Sequence, residues 1–405
     1  MNKNIQISNN LRMLNNLLDN KLYIVGGYVR NALLDNYDTD IDIASALTME
    51  QIKKAVAPKG FAVFPKSTKM GTCSIKKDGE EYEHTTFRKE SYTNGHHQPD
   101  TVVFTDKLKE DASRRDFTVN SIYYDIHNDK IIDKYNGIQD IEEKLIRCIE
   151  TPEYVFKSDG LRILRMVRLA SELDFQIEDN TFLTAKNCIH LLQDISGERK
   201  YHELEKMLVS QSKYAFSPQN GHIQAINMLN MLGCWNYLVD LDVRIMTPAN
   251  TKNIIHFFAI QYRHFKQYSY REYATRVFGK KGLNASNSNQ KTLIALLHCY
   301  YDNLDIWSNV VSLYQDYSVI STILKECDSK KLGQIEALFN NAIERKTPMS
   351  LKDLHLNAND LLDMGIQKEK LSHYLNLLWK ICIKKPEFNK RRILKKIINK
   401  KERAC

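Results

Sequence analysis

No two of the eight cysteines stand in a CxxC pair, and their scatter from Cys73 to Cys405 offers neither a zinc site nor a disulfide framework. Reduced thiols in a cytoplasmic protein fit that usage. Glycine and proline are scarce, 15 and 8 in 405 residues, which excludes fibrous and linker-rich chains and favours helices. No apolar run reaches membrane-spanning length, and Met1 to Asn20 lacks a signal-peptide core, so no membrane partner is expected. Internal repeats and low-complexity linkers are missing. Leu297-His298-Cys299 has no Asp after it, so no histidine–aspartate phosphohydrolase pair is expected. No feature announces a protein partner, and the oligomeric state is left open.

Charge is present but unevenly placed. The net charge is +9, and Lys384 to Arg403 holds ten Lys/Arg against Glu387 and Glu402, a net of +8. A basic end suits a polyanion such as RNA. The plainer alternative is a solvated terminal helix. Met1 to about Asp140 reads as mixed α/β. Strands are predicted at Leu22–Val25, Asp40–Ala44, Phe61–Phe64, Thr72–Ile75 and Tyr82–Phe87, and helices at Ile5–Leu18, Tyr28–Leu34 and Met49–Ala55. Ser91 to Asp106 is polar and reads as a loop. After about Ile141 strand signals vanish and helical periodicity runs to the end.

Three constellations carry chemistry. In the first, the strand ending at Val25 meets Gly26-Gly27, and Asp40-Ile41-Asp42 follows. Glycine admits backbone N–H groups to a phosphate, and Arg30 stands one turn into the next helix. Asp40 and Asp42 share one strand face, where two carboxylates repel unless a cation lies between them. That is a seat for two Mg²⁺ ions beside a phosphate seat. Glu81 or Glu83 on a neighbouring strand is a further carboxylate for the metals, or else a solvent-facing residue. The second constellation, Arg114-Arg115-Asp116-Phe117-Thr118-Val119-Asn120, suggests phosphate or ribose contacts anchored by an ion pair. The third places Asp159, Arg162, Arg165 and Arg168 at three-residue steps, one stripe on a predicted helix. A carboxylate beside a guanidinium complements the amino group and ring nitrogen shared by the edges of C and A, and opposes G and U. An ordinary surface salt bridge is the competing account.

Taken in order, "LYIVGGYVRNALL", "DTDIDIA", "KMGTCSI", "YEHTTFR", "RRDFTVNS", "IIDKYNGIQDI", "DGLRILRMVRLASELDF" and "ISGERKYHELEKML" resemble the class II tRNA nucleotidyltransferase (CCA-adding) and bacterial poly(A) polymerase family, over roughly residues 20 to 210. The resemblance implies an α+β fold, a polymerase-β-like nucleotidyltransferase head with a mixed sheet and helices, followed by an all-α neck, body and tail. The divisions expected are 1–140, 141–210, 211–320 and 321–405. It implies Mg²⁺ on Asp40 and Asp42, and CTP and ATP as substrates. Nucleotide contacts would come from Gly26, Gly27, Arg30, Arg115, Asp159, Arg162, Arg165 and Arg168. The RNA partner would be tRNA, gripped by the basic tail.

Departures are equally informative. Asn31 stands where the family has Asp after its glycine motif, and Ser158 where its nucleotide-reading motif begins with Glu. The loop Tyr92 to Pro99 lacks the arginines that usually precede the proline, which bears on A addition. The activity expected is addition of C, C and A to tRNA 3′ ends. Alternatives are A-only or CC-only addition, poly(A) synthesis, and a non-catalytic RNA-binding protein.

Overall fold

The apolar runs of the first 140 residues assemble one mixed sheet in the computed structural model, which describes residues 5–37, 40–92, 100–304 and 307–402. Its strands are β1 (Tyr23–Val25), β2 (Ile41–Ser45), β3 (Ala62–Ser67), β4 (Thr72–Lys77), β5 (Glu80–Thr86), β8 (Tyr123–Asp125) and β9 (Lys130–Ile132), in the order β3-β4-β5-β2-β1-β8-β9. β2 and β5 are parallel, and the other neighbours antiparallel. Alternation along β2 buries Ile43 fully and leaves Asp42 on the opposite face, level with Glu83 of β5. Helices α2 (Gly27–Leu33) and α3 (Met49–Val56) fall within a residue or so of where the sequence places them, whereas α1 (Asn9–Leu17) starts four residues after Ile5, because the Ser8 side chain caps it by accepting the Leu11 N–H. A Thr48/Gln51 capping box starts α3.

The segment read as a loop over Ser91 to Asp106 is partly strand. β6 (Arg88–Ser91) and β7 (Thr101–Phe104) form a separate antiparallel pair, and α4 (Leu108–Ser113) follows. The sequence hides β7 because both its faces are open: Val103 and Phe104 are 60% and 45% exposed, so no alternation marks it. Residues 93–99, with the loop's histidines and Pro99, lie outside the described residues. Strands also reappear past Ile141. After α5 (Gly137–Glu142), β10 (Leu145–Ile146) and β11 (Gln176–Ile177) pair in parallel, each too short to leave a period in the sequence.

The rest of the described chain is helical: α6 (Pro152–Ser158), α7 (Leu161–Leu173), α8 (Asp179–Asn187), α9 (Gly197–Leu208), α10 (Gly221–Leu232) and the helices beyond. α7 sends Ile163, Leu164, Met166 and Val167 into the core and keeps Arg162, Arg165 and Arg168 on its less buried side. Two compact units result: residues 1–248 with 281–284, and residues 249–280 with 285–405. In the second, Leu394 and Ile398 of the helix Arg391–Glu402 are fully buried in a cluster with Leu354, Leu361 and Leu378. Among the described residues, no helix is long and apolar enough to cross a membrane.

Candidate active site

Gly26 creates the site. Its φ of 79° and ψ of −133° let β1 turn at once into α2, a backbone state that a side chain would strain. A Cβ on Gly26 would stand 3.6 Å from Arg115 Nη1, and one on Gly27 3.7 Å from Arg30 Nη2. The turn therefore lies between two guanidinium groups. Around it opens a cavity of about 680 Å³, within the range of small-molecule sites. Six cationic side chains line it (Arg30, Arg115, Arg165, Arg168, Lys206, Lys213) against three carboxylates (Asp40, Asp42, Asp116).

The carboxylates differ in state. Asp42 faces the cavity from the start of β2, accessible on that side, with Glu83 alongside. Burial first, then the charge of Glu83, with a smaller part from Asp40, push its pKa up to about 6, against the pull of Arg115. The mutual repulsion of Asp42, Glu83 and Asp40 would be relieved by a cation, and oxygen donors of this kind suit a divalent metal. Glu83 is the carboxylate level with Asp42, and Lys66 neutralises it at 2.6 Å; Glu81 instead pairs with Lys76 at 2.8 Å. Asp116 is opposite in character. Burial resists its charge, but Arg165 and Asn120 overcome that and hold it well below the usual carboxylate range. Arg165 donates from Nε and Nη2 to Asp116 Oδ2, at 2.8 and 2.6 Å.

The cationic wall is built largely from fixed arginines. Asp111, fully buried on α4, accepts from Arg114 Nε and Nη2, from Arg115 Nη2 and from the Tyr123 hydroxyl. The same carboxylate accepts the Arg88 backbone N–H at the start of β6, so it ties the β6–β7 hairpin to Arg115. Arg168 meets Glu203 of α9 at 2.7 Å and Glu172 at 2.9 Å. Arg30 is 3% exposed, and burial lowers its pKa. It donates to Asn31 Oδ1, Asn120 Oδ1 and the Tyr214 hydroxyl.

Asp159 is not on the helix with the arginines. Its backbone is extended (φ −156°) and ends α6; Gly160 caps α7, which begins at Leu161. Its carboxylate accepts from Arg199 Nη2 at 2.6 Å and from the Leu161 N–H. Arg162 Nη2 donates to the Arg114 carbonyl at 2.7 Å. Neither residue lines the cavity, whereas Gly26, Gly27, Asp40, Asp42, Arg30, Arg115, Arg165 and Arg168 do. Lys206, Lys213, Tyr214, Tyr28 and Tyr37 also line it, although no role is expected for any of them from the sequence. Tyr28 and Lys206 lie in stretches that carry the resemblance, whereas Lys213 has no local signal, since a common surface residue becomes a site residue only through the fold.

The family described as "Poly A polymerase head domain" matches residues 22–147, and "Probable RNA and SrmB- binding site of polymerase A" matches 174–216. A CCA-adding enzyme of Lactococcus lactis subsp. cremoris (strain SK11) is 31% identical over 371 residues, 88% of this chain and 83% of that protein. The chain belongs to the CCA-adding enzyme family. Identity is higher over shorter stretches, such as 39% over 195 residues with the CCA-adding enzyme of Lactobacillus helveticus (strain DPC 4571), 48% of each chain. In that match, the chain spans about half the length of the relative. A solved CCA-adding enzyme of Bacillus stearothermophilus, in complex with CTP, superposes with a TM-score of 0.72 at 22% identity over 98% of both chains. That of Thermotoga maritima, complexed with tRNA, superposes at 0.55 and 20% identity, covering 97% and 96%. The family's fold, a nucleotidyltransferase head with a helical remainder, is thus this chain's fold.

Proposed function

We propose that the chain adds C, C and A to the 3′ end of tRNA, using CTP and ATP without a nucleic-acid template. The observation that carries this is the cavity's charge. Six cations face three acids around a glycine turn, an excess suited to a triphosphate. Asp40 and Asp42 are the residues to hold two Mg²⁺ ions, which when bound activate the RNA 3′-hydroxyl and neutralise the departing pyrophosphate. Arg30, Arg115, Lys206 and Lys213 hold the triphosphate with its α-phosphorus toward that hydroxyl. Asp116 and Asp111 keep Arg165 and Arg115 from swinging, so little order is lost when the nucleotide arrives. Base choice is proposed for Asp159 and Arg162, which lie outside the lining of the triphosphate cavity and whose carboxylate and guanidinium match C and A. Arg199 and the Arg114 carbonyl already orient that pair. The C-terminal basic segment holds the RNA backbone.

The test is primer extension. tRNAs ending before CCA, after CC, or complete are each offered single nucleotides. CTP should be incorporated on the first and ATP on the second, with nothing added to the third. Failure of CTP on the first substrate overturns the reading. ATP use on CC-ended tRNA alone would make the enzyme an A-adding specialist, and long adenosine tracts on complete RNA a poly(A) polymerase. Asp40→Ala with Asp42→Ala should abolish incorporation while sparing tRNA affinity.

A further inference from the structure

Arg30 is the exception among the cavity's arginines. Arg115 touches Asp111, Arg165 touches Asp116, and Arg168 touches Glu172 and Glu203. Arg30 is more deeply buried than these, yet its hydrogen-bond partners among the described residues are all neutral: Asn31 Oδ1 at 3.0 and 2.9 Å, Asn120 Oδ1 at 2.5 Å, the Tyr214 hydroxyl at 3.3 Å. A buried charge without a counter-charge in contact is unfavourable until an anion completes it.

Asn31 shows the same incompleteness from the other side. It is 1% exposed, and its Oδ1 takes both Nε and Nη2 of Arg30. Its Nδ2 is buried with no hydrogen-bond partner among the described residues. Flipping the amide would aim its NH₂ at a guanidinium, so the orientation is dictated by Arg30. The amide thus gives up a hydrogen bond to hold Arg30 with an uncharged oxygen. Aspartate has the same shape and would hold Arg30 equally well while neutralising it.

We propose that Asn31 is a positioning residue that fixes Arg30 through a neutral contact, leaving the guanidinium's charge to act on the polyphosphate of the bound nucleotide. The inference rests on the nucleotide-binding reading above and deepens it. Arg30 Nη2 lies against the glycine turn, 3.7 Å from where a Gly27 Cβ would stand, at the wall where the phosphates are placed. With Asn at position 31 the attraction for phosphate charge is stronger than the Asp expected from the resemblance would allow.

Calorimetric titration of CTP, CDP and CMP into the full chain and Asn31→Asp, at constant Mg²⁺ and ionic strength, tests this. Asn31→Asp should weaken CTP about tenfold and CMP about twofold or less, because the lost attraction scales with ligand charge. Its melting temperature should not fall, since a buried cation gains a partner. Arg30→Gln, which removes the same charge, should show the same graded loss. Equal losses for CTP and CMP, or no loss, overturn the inference. Should Asn31→Asp not fold, Arg30→Gln is read by the same criterion. A wild-type chain that binds CTP with a flat variant response overturns this inference alone. A wild-type chain that binds no cytidine phosphate overturns it together with the nucleotide reading.

Discussion

An aspartate beside other carboxylates titrates late unless a cation joins it. Asp42 is in that position, its pKa moved from 3.8 to about 6 by burial and by Glu83. The sign follows by linkage. With the folded pKa above the unfolded one, the folded state binds more protons between the two values, so Asp42 favours folding below about pH 4 and that contribution is lost as pH rises through about 6. In chelator, Asp42→Asn should therefore gain in melting temperature over wild type as pH climbs from 4 to 7. Mg²⁺ at pH 7.5 should raise the wild-type value and leave Asp42→Asn unmoved. Thermal scans across pH, with and without Mg²⁺, check both. A pH-independent difference, or equal stabilisation of the two proteins by Mg²⁺, would remove Asp42 from the metal seat. This residue was legible in the sequence because its alternation with Ile41 and Ile43 is a local pattern. Asp116 was legible only as a member of a charged run, since its partner Arg165 lies 49 residues away and only the fold joins them.

Asp111 joins two elements, the β6–β7 hairpin and the arginine face of the cavity. Its carboxylate carries the Arg88 N–H on one side, Arg114 and Arg115 on the other. Burial opposes its ionisation, but the two arginines outweigh burial and hold it below the usual carboxylate range. Its stabilisation is thus present above the unfolded pKa and fades in acid. Asp111→Asn should cost about 3 kcal/mol at pH 7, the scale for breaking a buried ion pair. It should also speed hydrogen exchange along β6. The deficit should shrink as pH falls below about 4. Denaturant unfolding at two pH values reads the energy, and exchange mass spectrometry reads the hairpin; a deficit constant with pH would deny the carboxylate's charge a role. At this scale the sequence was a partial guide. β1 to β5 were visible as apolar runs, whereas the three-residue strands β8 and β9 were too short to stand out, and β7 was hidden because no core sits on either side of it. The three-residue spacing put Asp159 on α7, but Gly160 intervenes, and the backbone extends before the helix starts. Spacing along a chain names a helical face only where the helix is unbroken.

The whole chain places its charges in separate units. The cavity residues lie in the unit of residues 1–248 with 281–284, and the basic segment lies in the other. The sequence showed the basic end as a run and left open whether it is only a solvated helix. Folding sorts that run into two kinds of residue. Leu394 and Ile398 are core, Arg391 pairs with Asp360, and the Tyr374 hydroxyl donates to Glu402. Arg392, Lys396, Lys400 and Lys401 are exposed. Deleting the segment would open the core as well as remove charge, so a loss of RNA affinity on deletion could not be assigned to electrostatics. Replacing those four exposed cations with Gln separates the effects. The variant should keep its melting temperature and its affinity for CTP, because neither the buried cluster nor the cavity is touched. tRNA binding should weaken, and the slope of log affinity against log salt should flatten by about one for each phosphate no longer neutralised. Filter binding over a salt series measures that slope beside calorimetry with CTP. An unchanged slope would return the helix to the status of a solvated surface. A fall in CTP affinity would show that the two units do not divide the work as their charges do.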